Sequence, residues 1–309
     1  MTMRFRFGVQ LAEARSRKHW IEQARLAEQL GYNVLVVPDH IGDQLAPFSA
    51  LVAAAEATER IRLGTFVLDN DFRHPVLVAQ EAASVDLLTD GRLELGIGAG
   101  WLGRDYERLG TEFASPRTRF ERLTEAVQII DSYFRGRPFS FDGRHYKVSD
   151  LEPTPRPAQQ PRPPLLIGGG GPRILEFASL HADIVSVFLT SLSDGSGFDV
   201  GELSTDSYQR KTDLVRDAAA RRDDPPELNI LIQHLDVTNS RNAAADERAR
   251  DSGIDRRELL ALPFELIGTI DQIVQDLLER RDRYGLSYVT VFDKHFRDFA
   301  PVVERLSNT

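Results

Sequence analysis

One pattern recurs along the chain and restricts its fold more than any other feature: a short apolar or β-branched run, followed by a longer amphipathic stretch. The short runs are Phe5–Gln10, Asn33–Pro38, Leu63–Leu68, Leu93–Ile97, Leu165–Gly168, Ile184–Phe188, Leu228–Leu235 and Tyr288–Phe292. Between them, apolar residues fall at helical spacing, as in Trp20, Ala24, Ala27 and Leu30, or Leu123, Val127, Ile130 and Phe134. Strand and helix in alternation predict parallel strands joined by right-handed crossovers. Eight such units predict an α/β fold of the closed (β/α)8 TIM-barrel type, with residues 1–309 as a single domain.

Three segments break the rhythm and are expected as insertions associated with strands 4, 6 and 7. From Gly136 to Pro164, before the fifth strand, lie seven of the sixteen prolines, which no helix can run through. Ser191–Thr205 follows the sixth strand and is rich in Ser, Gly and Asp, a composition that predicts a mobile loop. Arg241–Leu262 follows the seventh strand and predicts an extra charged helical piece. Loops after barrel strands lie on the catalytic face, so the latter two insertions are expected to cover a site.

Composition removes several functions. The chain has no cysteine, which excludes disulfides, a thiolate nucleophile and Cys-ligated metals. Its net charge of −9 argues against a nucleic-acid partner, which needs a basic stripe. No apolar run approaches the ~18 residues of a membrane span. Met1–Gln10 alternates Phe5, Phe7 and Val9 with Arg4, Arg6 and Gly8, which reads as a first strand and not a signal peptide, so a cytoplasmic location is expected. There is no H-E-x-x-H, no G-x-S-x-G and no tight metal-ligand cluster, so no metal is expected.

In a barrel the chemistry sits at the C-terminal ends of strands. Those ends supply Gln10, the pair Asp39-His40, the run Gly96–Trp101, the run Gly168–Pro172 and Gln233-His234. A histidine at a strand end either hydrogen-bonds loop backbone or shuttles a proton; His40 and His234 are the two so placed. Gly96-Ile97-Gly98-Ala99-Gly100 is not a dinucleotide fingerprint, because Trp101 stands where the third glycine belongs. It reads as a tight turn that a planar ring or a phosphate can approach. Gly168-Gly169-Gly170-Gly171-Pro172 closes a strand and opens a helix, the arrangement that favours an anion at a helix N-terminus; a merely tight turn is the alternative. No Walker lysine follows. Trp101, Gln10 and His234 are the expected substrate-pocket residues.

Several pieces, in this order and spacing, resemble the luciferase-like monooxygenase superfamily, and within it the coenzyme F-420 (deazaflavin)-dependent oxidoreductases. They are Arg25–Tyr32 with Val36-Val37-Pro38-Asp39-His40, Ile61–Thr65, Arg73-His74-Pro75, Thr89–Trp101, Phe141–Tyr146, Pro163–Gly169 and Gly268-Thr269. The resemblance implies a flavin-type ring at the barrel mouth, against a bulge whose non-prolyl cis peptide falls at Phe66–Val67. It places the cofactor phosphate near Gly98, Ala99, Gly100, Gly169, Gly170 and Gly171, and matches Asp39 and His40 to a pair that contacts the deazaflavin and handles a proton. The sugar-phosphate dehydrogenases of that family carry an acidic residue where this chain has Trp101, and a tryptophan where it has Asp43-Gln44. A sugar-phosphate substrate is therefore not expected.

The resemblance thus implies a hydride-transferring oxidoreductase using coenzyme F-420, with an FMN-dependent monooxygenase as the alternative. Hydride added to a carbonyl, imine or activated alkene leaves a charge that must be protonated. His40 is the expected catalytic residue, Asp39 the expected cofactor contact, and an apolar or planar small molecule the expected substrate. Apolar residues on the outer helices, among them Leu51, Val52, Leu77, Val78 and Leu87, together with the pairing habit of the family, predict a homodimer.

Overall fold

The computed structural model describes residues 4–307. Eight parallel strands form a closed barrel: β1 (Arg6–Gln10), β2 (Val34–Val37), β3 (Arg62–Thr65), β4 (Leu93–Gly98), β5 (Leu165–Gly169), β6 (Ile184–Val187), β7 (Glu227–Leu231) and β8 (Leu286–Phe292). Seven pairings run from β3 through β2, β1, β8, β7, β6 and β5 to β4. The pairing of Leu63 with Leu93 and Gly64 with Glu94 closes the ring. Around it pack α1 (Arg17–Gln29), α2 (Pro47–Ala55), α3 (Pro75–Leu88), α4 (Gly103–Leu109), α5 (Pro116–Phe134), α6 (Pro172–His181), α7 (Thr205–Ala219), α8 (Arg241–Ser252), α9 (Arg256–Ala261), α10 (Ile270–Tyr284) and α11 (Phe296–Leu306).

Both faces of each strand are covered, which is why the strands read as nearly continuous apolar runs. Alternate residues such as Phe7, Val9, Leu35, Val37, Leu95 and Ile97 face the helices and join one continuous core. The intervening ones, Val34, Val36, Leu166, Ile184 and Tyr288, fill the barrel with Phe66. At the N-terminal end of the barrel Arg6 bridges Glu94 and Glu227, and Arg62 also meets Glu94, so charged groups close that end. Higher up, Ser186 donates to Asn229 and Asn229 to Thr290, a polar rung beneath the opposite mouth.

All eight expected strands are present, with two refinements. The run Leu228–Leu235 is two strands: β7 ends at Leu231, and His234–Val237 pairs instead with Glu265–Gly268 outside the barrel. The proline-rich insertion carries an antiparallel hairpin, Phe139–Asp142 with Lys147–Leu151, that the sequence pattern does not predict. Arg241–Leu262 is helical as expected, but it gathers around its own small cluster of Ala245, Leu259, Leu262 and Ile267. No helix among the described residues is long and apolar enough to cross a membrane.

Candidate active site

A cavity of about 710 Å³ opens at the C-terminal mouth of the barrel. Its lining includes Gln10, Asp39, His40, Phe66, Val67, Gly98, Ala99, Gly100, Trp101, Gly169, Gly170 and Gly171. One expected pocket residue is not among them. His234 stands outside because the chain leaves β7 at Leu231 and turns to pair with Glu265; Gln233 lines the cavity in its place, and burial, helped by Arg248 and opposed by Glu265, lowers the His234 pKa.

The floor is built on the bulge that follows β3. The Phe66–Val67 peptide is cis. Three of the glycines face this bulge: a Cβ on Gly96, Gly98 or Gly168 would lie 3.2, 2.9 or 3.4 Å from the Val67 side chain, and one on Gly96 would also overlap the Thr65 carbonyl oxygen. Their spacing therefore serves the close approach of β4 and β5 to β3 as well as any ligand. Gly100 differs again. Its φ of +78° suits glycine, and a Cβ there would strike the Tyr106 hydroxyl and the Asp69 carboxyl.

Asp39 and His40 end β2 but point to different partners. The Asp39 carboxylate is buried and accepts both amino groups of Arg73, at 2.6 and 2.9 Å, and the Asp69 backbone N–H. It ties strand end to bulge, which leaves little free acceptor capacity for a cofactor. His40 is half-exposed, and its Nδ1 lies 2.7 Å from Oδ2 of Asp105, a buried carboxylate on α4 whose other oxygen accepts the Ile41 N–H. An aspartate at Nδ1 fixes the tautomer and leaves Nε2 for chemistry. Sequence reasoning misses Asp105, because nothing local links it to a residue 65 positions earlier.

Aromatic rings supply the apolar wall. Trp101 sits edge-on to His40, with centroids 5.7 Å apart, and packs against Phe198 at 4.4 Å; Phe198 meets Phe188 edge to face. Phe198 belongs to Ser191–Thr205, the segment expected to be mobile. It is anchored at several points instead. Ser191 bridges Phe198, the Gly195 carbonyl accepts the Gly103 N–H, and Glu202 accepts the Thr190 N–H and pairs with Lys211. Of the two insertions expected to cover the site, this one contributes to the lining and Arg241–Leu262 does not.

The residues present fit an anionic group. Gly171 is the N-cap of α6 and offers no side-chain cap, so the first-turn N–H groups remain as donors beside Pro172. Arg173 lines the cavity, is exposed and has no ion-pair partner among the described residues. Arg119 also lines it; this buried guanidinium stacks on Phe113, donates to the Ala114 carbonyl and leaves Nε without a partner. Neither arginine stands out in the sequence, since arginine is common throughout the chain.

Known proteins share both sequence and fold with this chain. Over 192 residues it is 32% identical to an F420-dependent glucose-6-phosphate dehydrogenase of Microbacterium testaceum, covering 59% of this chain and 56% of that protein. It is 29% identical over 180 residues to the oxygenase component of a flavin-dependent trigonelline monooxygenase of Acinetobacter baylyi, covering 56% and 49%. The chain thus spans about half the length of the curated relatives it matches. The crystal structure of a coenzyme F420-dependent tetrahydromethanopterin reductase from Methanopyrus kandleri shares the fold, with a TM-score of 0.76 at 18% identity over 99% of this chain and 98% of that one. Residues 1–265 match the luciferase-like monooxygenase family, and the chain belongs to it.

Proposed function

We propose that the chain is an oxidoreductase that transfers a hydride between coenzyme F-420 and a small, apolar or planar organic substrate. The observation that carries this reading is His40, held at Nδ1 by buried Asp105 and facing the same cavity as the uncapped start of α6. When bound, the deazaflavin supplies two-electron chemistry. The protein supplies the rest. Gly169, Gly170, Gly171 and Arg173 hold the phosphate, with Gly98, Ala99 and Gly100 across the turn. Phe66 and Val67 support the ring. Asp39 acts through Arg73 and the bulge, and His40 gives or takes the proton at Nε2. Trp101 and Phe198 exclude water and select a flat or apolar substrate; Gln10 is a polar group in the lining of the same cavity.

A second reading, an FMN-dependent monooxygenase, is favoured by one observation: the similarity to the trigonelline monooxygenase component is nearly as high as that to the dehydrogenase. Titrating the purified protein with FMN and with coenzyme F-420, followed by fluorescence, separates them. Tighter binding of F-420 by ~10-fold or more supports the first reading. Tighter binding of FMN, with oxygen uptake on reduction, replaces it by the second. We further propose that the whole chain works as one catalytic barrel and as a homodimer.

A further inference from the structure

Three carboxyl groups converge where the bulge meets the cavity, and they are not treated alike. Arg73 pairs with Asp39, and Arg122 pairs with Asp71 at 2.8 Å. Asp69, on the short strand Leu68–Asp69 beside Gly98, has no ion pair among the described residues, although it lines the cavity. Its two oxygens also differ. Oδ1 accepts the Asp71 backbone N–H and the Tyr106 hydroxyl, both at 2.9 Å. Oδ2 receives no donor among the described residues and abuts Gly100, where an added Cβ would overlap it.

The two bonds to Oδ1 favour an ionised carboxylate, whereas burial among two other carboxyl groups with no ion pair of its own among the described residues favours a neutral acid with Oδ2 free toward the cavity. A carboxylate presents two equivalent acceptors, whereas a protonated carboxyl has one carbonyl oxygen and one O–H. In the neutral form the twice-bonded Oδ1 would be the carbonyl, and Oδ2 would carry the proton. The surroundings agree. Burial pushes Asp69 up to about 7, against the two hydrogen bonds and with help from the charges of Asp71 and Asp39. The other charged or titratable groups on the elements packed here are Arg73, Tyr106, Arg119, Arg122 and Tyr146, with His40 and Asp105 beyond them; Arg73 and Arg119 act on Asp69 through space, but no arginine forms an ion pair with it among the described residues.

We propose that Asp69 binds the cofactor in its neutral form, so that uptake of a phosphorylated flavin or deazaflavin is accompanied by uptake of a proton at Asp69 Oδ2. The inference rests on the reading of the cavity as the site of such a cofactor. A ligand bearing phosphate brings negative charge into a cavity where an ionised Asp69 has no ion pair among the described residues and competes with the ligand for the charge of Arg119. A neutral Asp69 removes that repulsion and offers an O–H donor, a carboxylic acid used as a hydrogen-bond donor near neutral pH. The proton comes from solvent, and no other bond changes.

The test is binding, read from pH 6 to pH 9 for the wild type and Asp69→Asn with FMN and with coenzyme F-420. The amide imitates the neutral acid. The wild type should lose affinity above pH 7, approaching ~10-fold per unit, while Asp69→Asn loses no more than the ligand's own titration requires. Calorimetry in two buffers of different ionisation enthalpy should show proton uptake at pH 8 by the wild type and correspondingly less by the variant. Equal pH slopes and equal proton uptake overturn the proposal and leave the cofactor reading standing. Failure of both cofactors to bind at pH 6 overturns the cofactor reading and this inference with it. A ligand-free check uses the same variant. A carboxyl whose folded pKa is raised loses stability as pH rises from its unfolded value toward 7, so the Tm gain of Asp69→Asn should be larger at pH 8 than at pH 5. A gain independent of pH overturns the assignment of the proton to Asp69.

Discussion

A carboxylate at one histidine nitrogen sets the tautomer and the ring orientation in which the other nitrogen is presented, and the 2.7 Å contact from Asp105 does this for Nε2 of His40. His40→Ala should therefore cost ~10²–10⁴-fold in turnover with cofactor affinity nearly intact, as for loss of a general acid. Asp105→Asn keeps an acceptor for the Ile41 N–H, so it should preserve folding, lower turnover and displace the pH–rate profile. If His40→Ala instead loses affinity while saturated turnover is unchanged, His40 is a cofactor ligand. The anion end needs a cleaner substitution than a glycine. A Cβ on Gly170 would overlap the Leu189 carbonyl oxygen, so a branched residue there disturbs backbone before it disturbs any ligand. Arg173 is exposed and has no ion pair among the described residues, so its truncation should leave the fold alone. Arg173→Ala should weaken FMN by about 1.5-fold to fivefold, the range of a solvent-screened charge contact, and leave riboflavin, which lacks the phosphate, unaffected. Equal losses for both ligands would remove the phosphate from this helix end.

At the level of elements, legibility in the sequence depends on how far each signal reaches. The barrel strands are legible because each is buried on both faces, and the start of α6 because Gly171 and Pro172 are local punctuation. The hairpin Phe139–Asp142 with Lys147–Leu151 is not, since none of its residues is fully buried and, although Phe139–Asp142 alternates over four residues, Lys147–Leu151 does not. The break after Leu231 is hidden because Ile232, Leu235 and their neighbours are apolar; only the Gln233 N–H turning to the Phe264 carbonyl reveals it. That break is why the sequence misplaces His234. The small polar residues of Ser191–Thr205 suggest mobility, but its anchors are Phe198 and Leu203, packed against the core from sequence-distant positions. Phe198→Ala removes the contact with Trp101. It should speed amide exchange across residues 192–204 by ~10-fold or more without lowering the global Tm appreciably, because segments opening locally do so with their own free energy. Unchanged exchange would mean that the backbone contacts to Gly103 and Glu202 hold this loop without the ring.

Over the whole molecule, the distribution of apolar surface is what the proposed dimer rests on. Two of the residues expected to be surplus, Leu51 and Val78, are consumed by the chain's own core. Leu77, Leu87 and Leu88 are not: all three are on α3, and more than half of each is exposed. Leu88 and Val85 of α3 also line a groove with Phe48 and Val52 of α2. Scattered apolar residues on a surface need no explanation, but several on one helix beside a groove lined by Phe48, Val52, Val85 and Leu88, with Ser49, Gln80, Glu81 and Ser84 among them, are a candidate interface. A two-fold axis would let the α3 ridge of each subunit fill the groove of the other, since in such an interface the same patch serves both partners. A stable pair buries about 1,600 Å² in total, which two such helices and their flanks can supply. The expected result is a species of twice 34.7 kDa in sedimentation at micromolar concentration. Leu88→Asp, which places a charge at the groove and touches no cavity residue, should shift that species toward the monomer while cofactor affinity is retained. A wild-type monomer under those conditions would rule the dimer out, and an unaltered dimer in Leu88→Asp would move the interface to another face of the barrel.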